Sequence, residues 1–169
     1  GAFGQRAIEN VLLYNYLPWP AMRLAGKVVY KFMLPDNVEM RVPRNENDVL
    51  PSQDSKERVS RKQGDTITVG ASATWNIFGD FGVAGGYEFS AKRSDSFGGS
   101  RGSRYDLLEK DTSSMAHRLR GGLSYDTIGL YMRKKNFPPM KFDFEVSNTI
   151  AGRNSDRQLV NELSLTLFF

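Results

Sequence analysis

The stretch Arg157-Gln158-Leu159-Val160-Asn161-Glu162-Leu163-Ser164-Leu165-Thr166-Leu167-Phe168-Phe169 decides the fold. Leu159, Leu163, Leu165, Leu167 and Phe169 fall on one phase of a two-residue repeat, and Val160, Glu162, Ser164, Thr166 and Phe168 fall on the other. Successive side chains of a strand point to opposite faces, so the segment reads as a strand with one apolar and one mostly polar side.

The same alternation runs upstream. In Met140 to Ile150, Met140, Phe142, Phe144 and Val146 oppose Lys141, Asp143, Glu145 and Ser147, and the intervening Ala151-Gly152-Arg153-Asn154-Ser155-Asp156 is turn-forming, so the two strands read as a hairpin. Asn136-Phe137-Pro138-Pro139 punctuates the upstream side, because proline cannot donate to a central ladder. A second hairpin is expected around Phe78-Gly79-Asp80. Ile67, Val69, Ala71, Ala73, Trp75 and Ile77 form one phase before it, and Phe81, Val83, Gly85, Tyr87 and Phe89 one phase after it.

Met115, Leu119, Leu123 and Tyr125 share a phase that changes near Thr127, where Ile128, Leu130 and Met132 take the other parity; a β-bulge in one long strand would reconcile the halves. Leu24, Val28, Tyr30, Phe32 and Leu34 oppose Arg23, Lys27 and Lys31, after which Pro35-Asp36 is expected to turn the chain into a strand at Asn37 to Val42. A first strand is expected over Ile8 to Tyr16. Leu17 to Pro20 (LPWP) reads as a connection that places Trp19 at a membrane interface.

The reading is all-β, an antiparallel up-and-down barrel of about eight strands, or the C-terminal part of a larger barrel. Short links are expected near Pro35, Gly79 and Pro138, and long polar ones over 44–64 and 94–114, the latter with a mobile tip at Ser96 to Ser103. One domain spans residues 1–169. Phe78, Phe81, Phe137, Phe168 and Phe169 would form an aromatic girdle at one rim. A soluble sandwich with the apolar phase turned inward has the same periodicity.

These strands resemble those of the outer-membrane β-barrel proteins of Gram-negative bacteria, whose closing strand ends in Phe after alternating apolar residues. That resemblance implies an assembly signal at Leu163, Leu165, Leu167 and Phe169, read transiently by the barrel-assembly machinery. It further implies outer-membrane lipid and lipopolysaccharide as neighbours and a C-terminus at the periplasmic side. The stretch from His117 to Asn154 is similar to the closing hairpins of fatty-acid and aromatic-hydrocarbon uptake barrels. On this reading the lumen-facing charges are Lys27, Lys31, Glu88, Arg118, Arg120, Lys141, Asp143, Glu145 and Glu162. The expected role is a channel or uptake component for small or hydrophobic solutes. The alternative is a closed eight-stranded barrel acting through its outer loops, and oligomeric state stays open.

Composition narrows the chemistry. The chain carries 23 basic against 19 acidic residues, a net +4, with the two signs interspersed, which argues against nucleic acid as a partner. Cysteine is absent, excluding disulfides, thiolate metal sites and a cysteine nucleophile. His117 is the one histidine, and its parity with Leu119 points it outward or to the rim. Asp143 and Glu145 beside Lys141 read as an ionic network rather than an acid/base pair. No catalytic residue, cofactor or metal is therefore expected. The chain opens at Gly1 with no leader segment, as expected if a secretory signal has been removed or the sequence belongs to a longer protein.

Overall fold

The computed structural model of the chain describes residues 6–48, 50–78, 80–100, 105–133 and 138–168. Seven strands form one antiparallel meander in the order β1-β2-β5-β6-β8-β9-β10, and three shorter ones form a second sheet, β3-β4-β7. The large sheet consists of β1 (Ala7–Trp19), β2 (Met22–Met33), β5 (Thr66–Asn76), β6 (Phe81–Lys92), β8 (Ser114–Asp126), β9 (Met140–Arg153) and β10 (Leu159–Leu167). The small sheet consists of β3 (Asp36–Arg41), β4 (Lys56–Lys62) and β7 (Ser96–Gly98).

Register carries the sequence alternation across the large sheet, with the phase shifting only near one end of β1, after Tyr16, and in β9 at Ile150. Cross-strand partners share a face, so the row Trp19, Met22, Trp75, Val83, Leu123, Phe144, Leu163 lies on one side from edge to edge. Adjacent rows on that side are equally apolar; Phe81, Tyr125, Phe142 and Leu165 make one of them. Among the described strand residues of this face only Arg153, at one end of β9, carries a full charge. The opposite face holds the charges.

The connections are sorted by end. Residues 20–21, 77–80 and 127–139 join strands at one end; 34–65, 93–113 and 154–158 join them at the other, where both long excursions lie. Asn154 turns the chain there in the left-handed region (φ 49°), which asparagine tolerates, and its side-chain amide donates to the carbonyls of Asp111 and Ser113. β10 runs toward the short-connection end, where the Phe168 amide donates to Pro139. Phe169, Phe137 and Gly79 lie outside the described residues.

Several expectations are corrected. The strand at Asn37 to Val42 does not join the large sheet, so that sheet has seven strands rather than about eight. Pro35 does lie in a two-residue link, but that link joins the two sheets rather than closing a hairpin: the chain leaves β2 there, forms β3 and β4 of the small sheet and returns as β5, so the link lies at the opposite end from Gly79 and Pro138. The stretch 44–64 conceals β4, whose single buried apolar residue, Val59, is too little for periodicity to reveal. What recruits it is charge and register, with Arg61 Nη2 2.7 Å from Asp36 and Lys56 paired to Glu39. The stretch 94–114 likewise holds β7 and a helical turn, α1 (Asp106–Glu109), so Ser96–Gly98 is strand; Arg101 to Arg104 lie outside the described residues.

The phase change at Thr127 is the end of β8, not a bulge. Asp126 accepts the Ile128 amide just ahead of a short helix, α2 (Ile128–Met132), and Thr127, the residue that opens it, is buried with its hydroxyl donating to the Pro138 carbonyl. The sheet's bulge lies instead opposite His117 and Arg118, where Ile150 is the extra residue of β9. Finally, β1 runs on through Leu17 and Pro18 to Trp19, with an irregular register after Tyr16. Proline is tolerated because β1 is an edge strand in the described sheet.

The buried apolar cluster belongs to the small sheet. Val42, Val59 and Tyr105 pack there with Met40, Phe97 and Leu108. The large sheet has no such core among its described residues: Leu12 is 69% exposed, Leu163 67% and Trp19 63%. The sheet is also open, since among the described residues no ladder joins β1 to β10. At the junction of the two sheets Gly64 passes so close to the Arg93 carbonyl that a β-carbon would overlap it.

Candidate functional site on the charged face

All nine charged residues singled out from the sequence fall on one face by register. Lys27, Gly70, Glu88, Arg118 and Thr149 occupy one row; Ala25, Ser72, Gly86, Arg120 and Ser147 occupy the next. Lys31 pairs with Thr66 one strand over, and Lys141, Asp143 and Glu145 lie on β9 opposite Thr166, Ser164 and Glu162 of β10. The assembly-signal candidates Leu163, Leu165 and Leu167 lie on the apolar face, paired with Phe144, Phe142 and Met140.

The structure gathers four of the nine. Glu88 Oε2 lies 2.5 Å from Lys27 Nζ and 3.3 Å from Arg120 Nη2, while Glu88 Oε1 lies 3.4 Å from Arg118 Nη1. The Glu88 side chain is only 13% exposed. Lys27 and Glu88 stand on strands that do not touch, with β5 between them. Gly70 makes the contact possible: a β-carbon there would lie 3.1 Å from Lys27 Cε, so the bare backbone lets the lysine stem lie flat across β5. Gly86 keeps the same floor low, since its β-carbon would meet Ser72 Cβ at 3.2 Å. Arg23 stands one row further on, its guanidinium donating twice to Asn15 Oδ1 at 3.0 and 2.7 Å.

A cavity of about 310 Å³ opens over this floor, lined by Arg23, Lys27, Gly70, Ser72, Glu88 and Arg120 among others. Three cations share one carboxylate, and Arg23 adds a fourth positive charge at the wall. The remaining candidates make no ion pair with this cluster among the described residues, although Glu145 lines a neighbouring cavity with Arg120. Lys141 pairs with Asp143 at 2.8 Å, whereas Glu145 and Glu162 face each other across the β9–β10 ladder with no cation within 4.0 Å among the described residues. Like charges directly opposite repel. The charged face is therefore polarised, basic over β2 and β8 and acidic over β9 and β10.

Sequence reading placed the lysines and arginines but missed Gly70 and Gly86. The available signal was their position, glycine on the polar phase of strands whose apolar phase is regular. His117 stands on the other face, hydrogen-bonded to the Tyr87 hydroxyl and 5.0 Å from the Phe89 ring centroid. It is remote from the carboxylates by sidedness. Among the described residues no group of three His, Cys, Asp or Glu side chains is placed to hold a metal ion, and no helix is long and apolar enough to cross a membrane.

At the long-connection end Asp65 ties β2 to the start of β5. Its carboxylate accepts the Met33 amide at 3.0 Å and the Tyr30 hydroxyl at 3.1 Å, with Lys62 Nζ at 3.6 Å. The backbone bond above all, helped by Tyr30 and Lys62 and opposed by desolvation, holds this carboxyl below the usual carboxylate range. In the small sheet, the bidentate contact with Asp36 raises Arg61 above its ordinary value.

No protein-family model matches the chain, and no curated protein matches it significantly. The fold is all-β, built of antiparallel sheets.

Proposed function

We propose that the large sheet is the wall, or an arc of the wall, of a bacterial outer-membrane β-barrel, with its apolar face against lipid and its charged face lining the lumen. One observation carries the reading. Seven hydrogen-bonded strands present an apolar face, uncharged apart from Arg153 at its end, that nothing in the described chain covers. A soluble sandwich would bury that face under a second sheet, yet the second sheet here spends its apolar residues on its own core. An uncovered apolar surface of this extent marks an interface with lipid or another chain.

Backbone arithmetic sharpens the proposal. In hydrocarbon every backbone polar group needs a partner, so the open edges of β1 and β10 must be closed. Both strands run toward the short-connection end. Fully antiparallel closure therefore takes an odd number of further strands, one for an eight-stranded barrel and three or more for a larger wall. The two longest connections, 34–65 and 93–113, lie at one end and β10 finishes at the other, as in barrels whose long loops face outward and whose turns face the periplasm. Lipid and lipopolysaccharide are then the neighbours of the apolar face, and the assembly machinery a transient partner of β10.

Within this class we favour a channel or uptake role, because the floor of Gly70, Ser72 and Gly86 leaves space above the charged face. The small sheet with its own core at the long-connection end favours a second reading, a surface-interaction barrel acting through that module. Single-channel recording of the detergent-refolded chain, after heat-modifiable migration is verified, separates them. Discrete openings are expected for the first reading, and a folded but silent chain would leave the second.

A further inference from the structure

We infer that the charged face carries an oxyanion-binding site, formed by Lys27, Arg118 and Arg120 around Glu88 with Arg23 at its wall, for the carboxylate or phosphate group of a water-soluble solute. The inference rests on the proposal above for its location, since a lumen is where such a solute would meet these residues.

The charge count is the first argument. Among the described residues Glu88 is the one anion within ion-pair distance of Lys27, Arg118 and Arg120, so three cations share one contacting carboxylate before Arg23 is counted. Arg23 is held by a neutral amide oxygen, so its charge adds to the excess. Of the acidic residues that would offset it, Asp143 is occupied by Lys141, Glu162 stands on β10, and Glu145, on β9 next to β8, lines a neighbouring cavity with Arg120 but makes no ion pair with it. Clustered like charges on a partly enclosed surface raise the local concentration of counter-ions.

Geometry is the second argument. The two arginines touch Glu88 through one nitrogen each at 3.3 and 3.4 Å, longer than a good charge-assisted bond, so most of their donor edge is unspent. Guanidinium forks suit planar carboxylates and phosphates. The floor beneath is stripped of side chains at Gly70 and Gly86, and Gly70 also lets Lys27 reach over β5. A cavity of about 310 Å³ stands over that floor. Glu88 then acts as an internal place-holder: it neutralises one charge when the site is vacant and orients the cations without filling the space.

The test is calorimetric titration of the full chain, refolded in maltoside micelles that contain no phosphate, with inorganic phosphate and separately with propionate. Saturable binding is expected. K27Q and R120Q are each expected to weaken it about tenfold, the loss of one charge-assisted contact, whereas R58Q, in the small sheet, is expected to leave it unchanged. E88Q is the decisive variant, since removing the place-holder is expected to tighten phosphate about tenfold, which a merely structural ion cluster would not do. Absence of saturable binding in folded protein, or E88Q and R120Q indistinguishable from the parent, would overturn the inference. Sensitivity to K27Q and R120Q seen only in mixed micelles with phosphatidylglycerol would assign the cluster to a lipid headgroup and also overturn it. Quenching of Trp19 and Trp75 by brominated lipid reads the membrane proposal separately, so failure of one is distinguishable from failure of the other.

Discussion

At the scale of single residues, neighbours one position apart carry opposite expectations. Leu165 pairs with Phe142 on the apolar face and Thr166 with Lys141 on the charged face. On the proposed wall, Leu165→Arg should cost about 2–4 kcal/mol and impair insertion, while Thr166→Arg should cost far less; urea-dependent refolding into vesicles measures both. Asp65 gives a pH signature. Its folded pKa lies below the unfolded value, so its contribution is full above the unfolded carboxyl pKa and fades as pH falls through the folded one. Asp65→Asn should therefore destabilise the neutral protein by about 1–3 kcal/mol and flatten the acid limb of its denaturation curve. The glycines work by absence: Gly70→Val should dislodge Lys27 from Glu88 with the backbone ladder intact, which the Lys27 side-chain resonance would report.

At the scale of elements, the two sheets obey different rules. The large one is held by ladder bonds and cross-strand pairs, because no second layer within the described chain covers its apolar face. The small one is a conventional miniature, with Val59 wholly buried against Val42 and Tyr105 and Glu57 accepting from Ser100 and the Tyr105 hydroxyl. Val59→Ala should cost about 2 kcal/mol and act locally. Protease nicking within 34–65 should accelerate, while heat-modifiable migration of the large sheet stays unchanged. Loss of both together would show that the sheets fold as one unit.

At the scale of the whole molecule, the question is what covers the apolar face. Trp19 and Trp75 are the only two tryptophans, and they lie in one cross-strand row with Met22 between them. Both are more than half exposed, at 63% and 55%. Bromine placed near the interfacial end of the acyl chains should quench both strongly in vesicles, and aqueous iodide should reach neither. Iodide quenching with bromolipid silent would place the face in water or against protein, and the membrane reading would fall.

The sequence by itself determined the strand character of all seven members of the large sheet and, along the regular stretches of the six after β1, which residues share a side. Phase is a local property: a two-residue repeat assigns faces whatever the partner strand turns out to be. Lys27, Glu88 and Arg120 were legible as companions on one face for that reason. Only the tertiary structure decided that Lys27 crosses β5 to reach Glu88, that Asn37 to Val42 leaves the large sheet, and that Thr127 ends a strand. Each depends on a partner distant along the chain: a bare glycine on the intervening strand, an arginine opposite Asp36, a proline carbonyl for the Thr127 hydroxyl. Alternation carries no information about such partners, because contacts between strands are set by register and by the space side chains leave, not by the period within one strand.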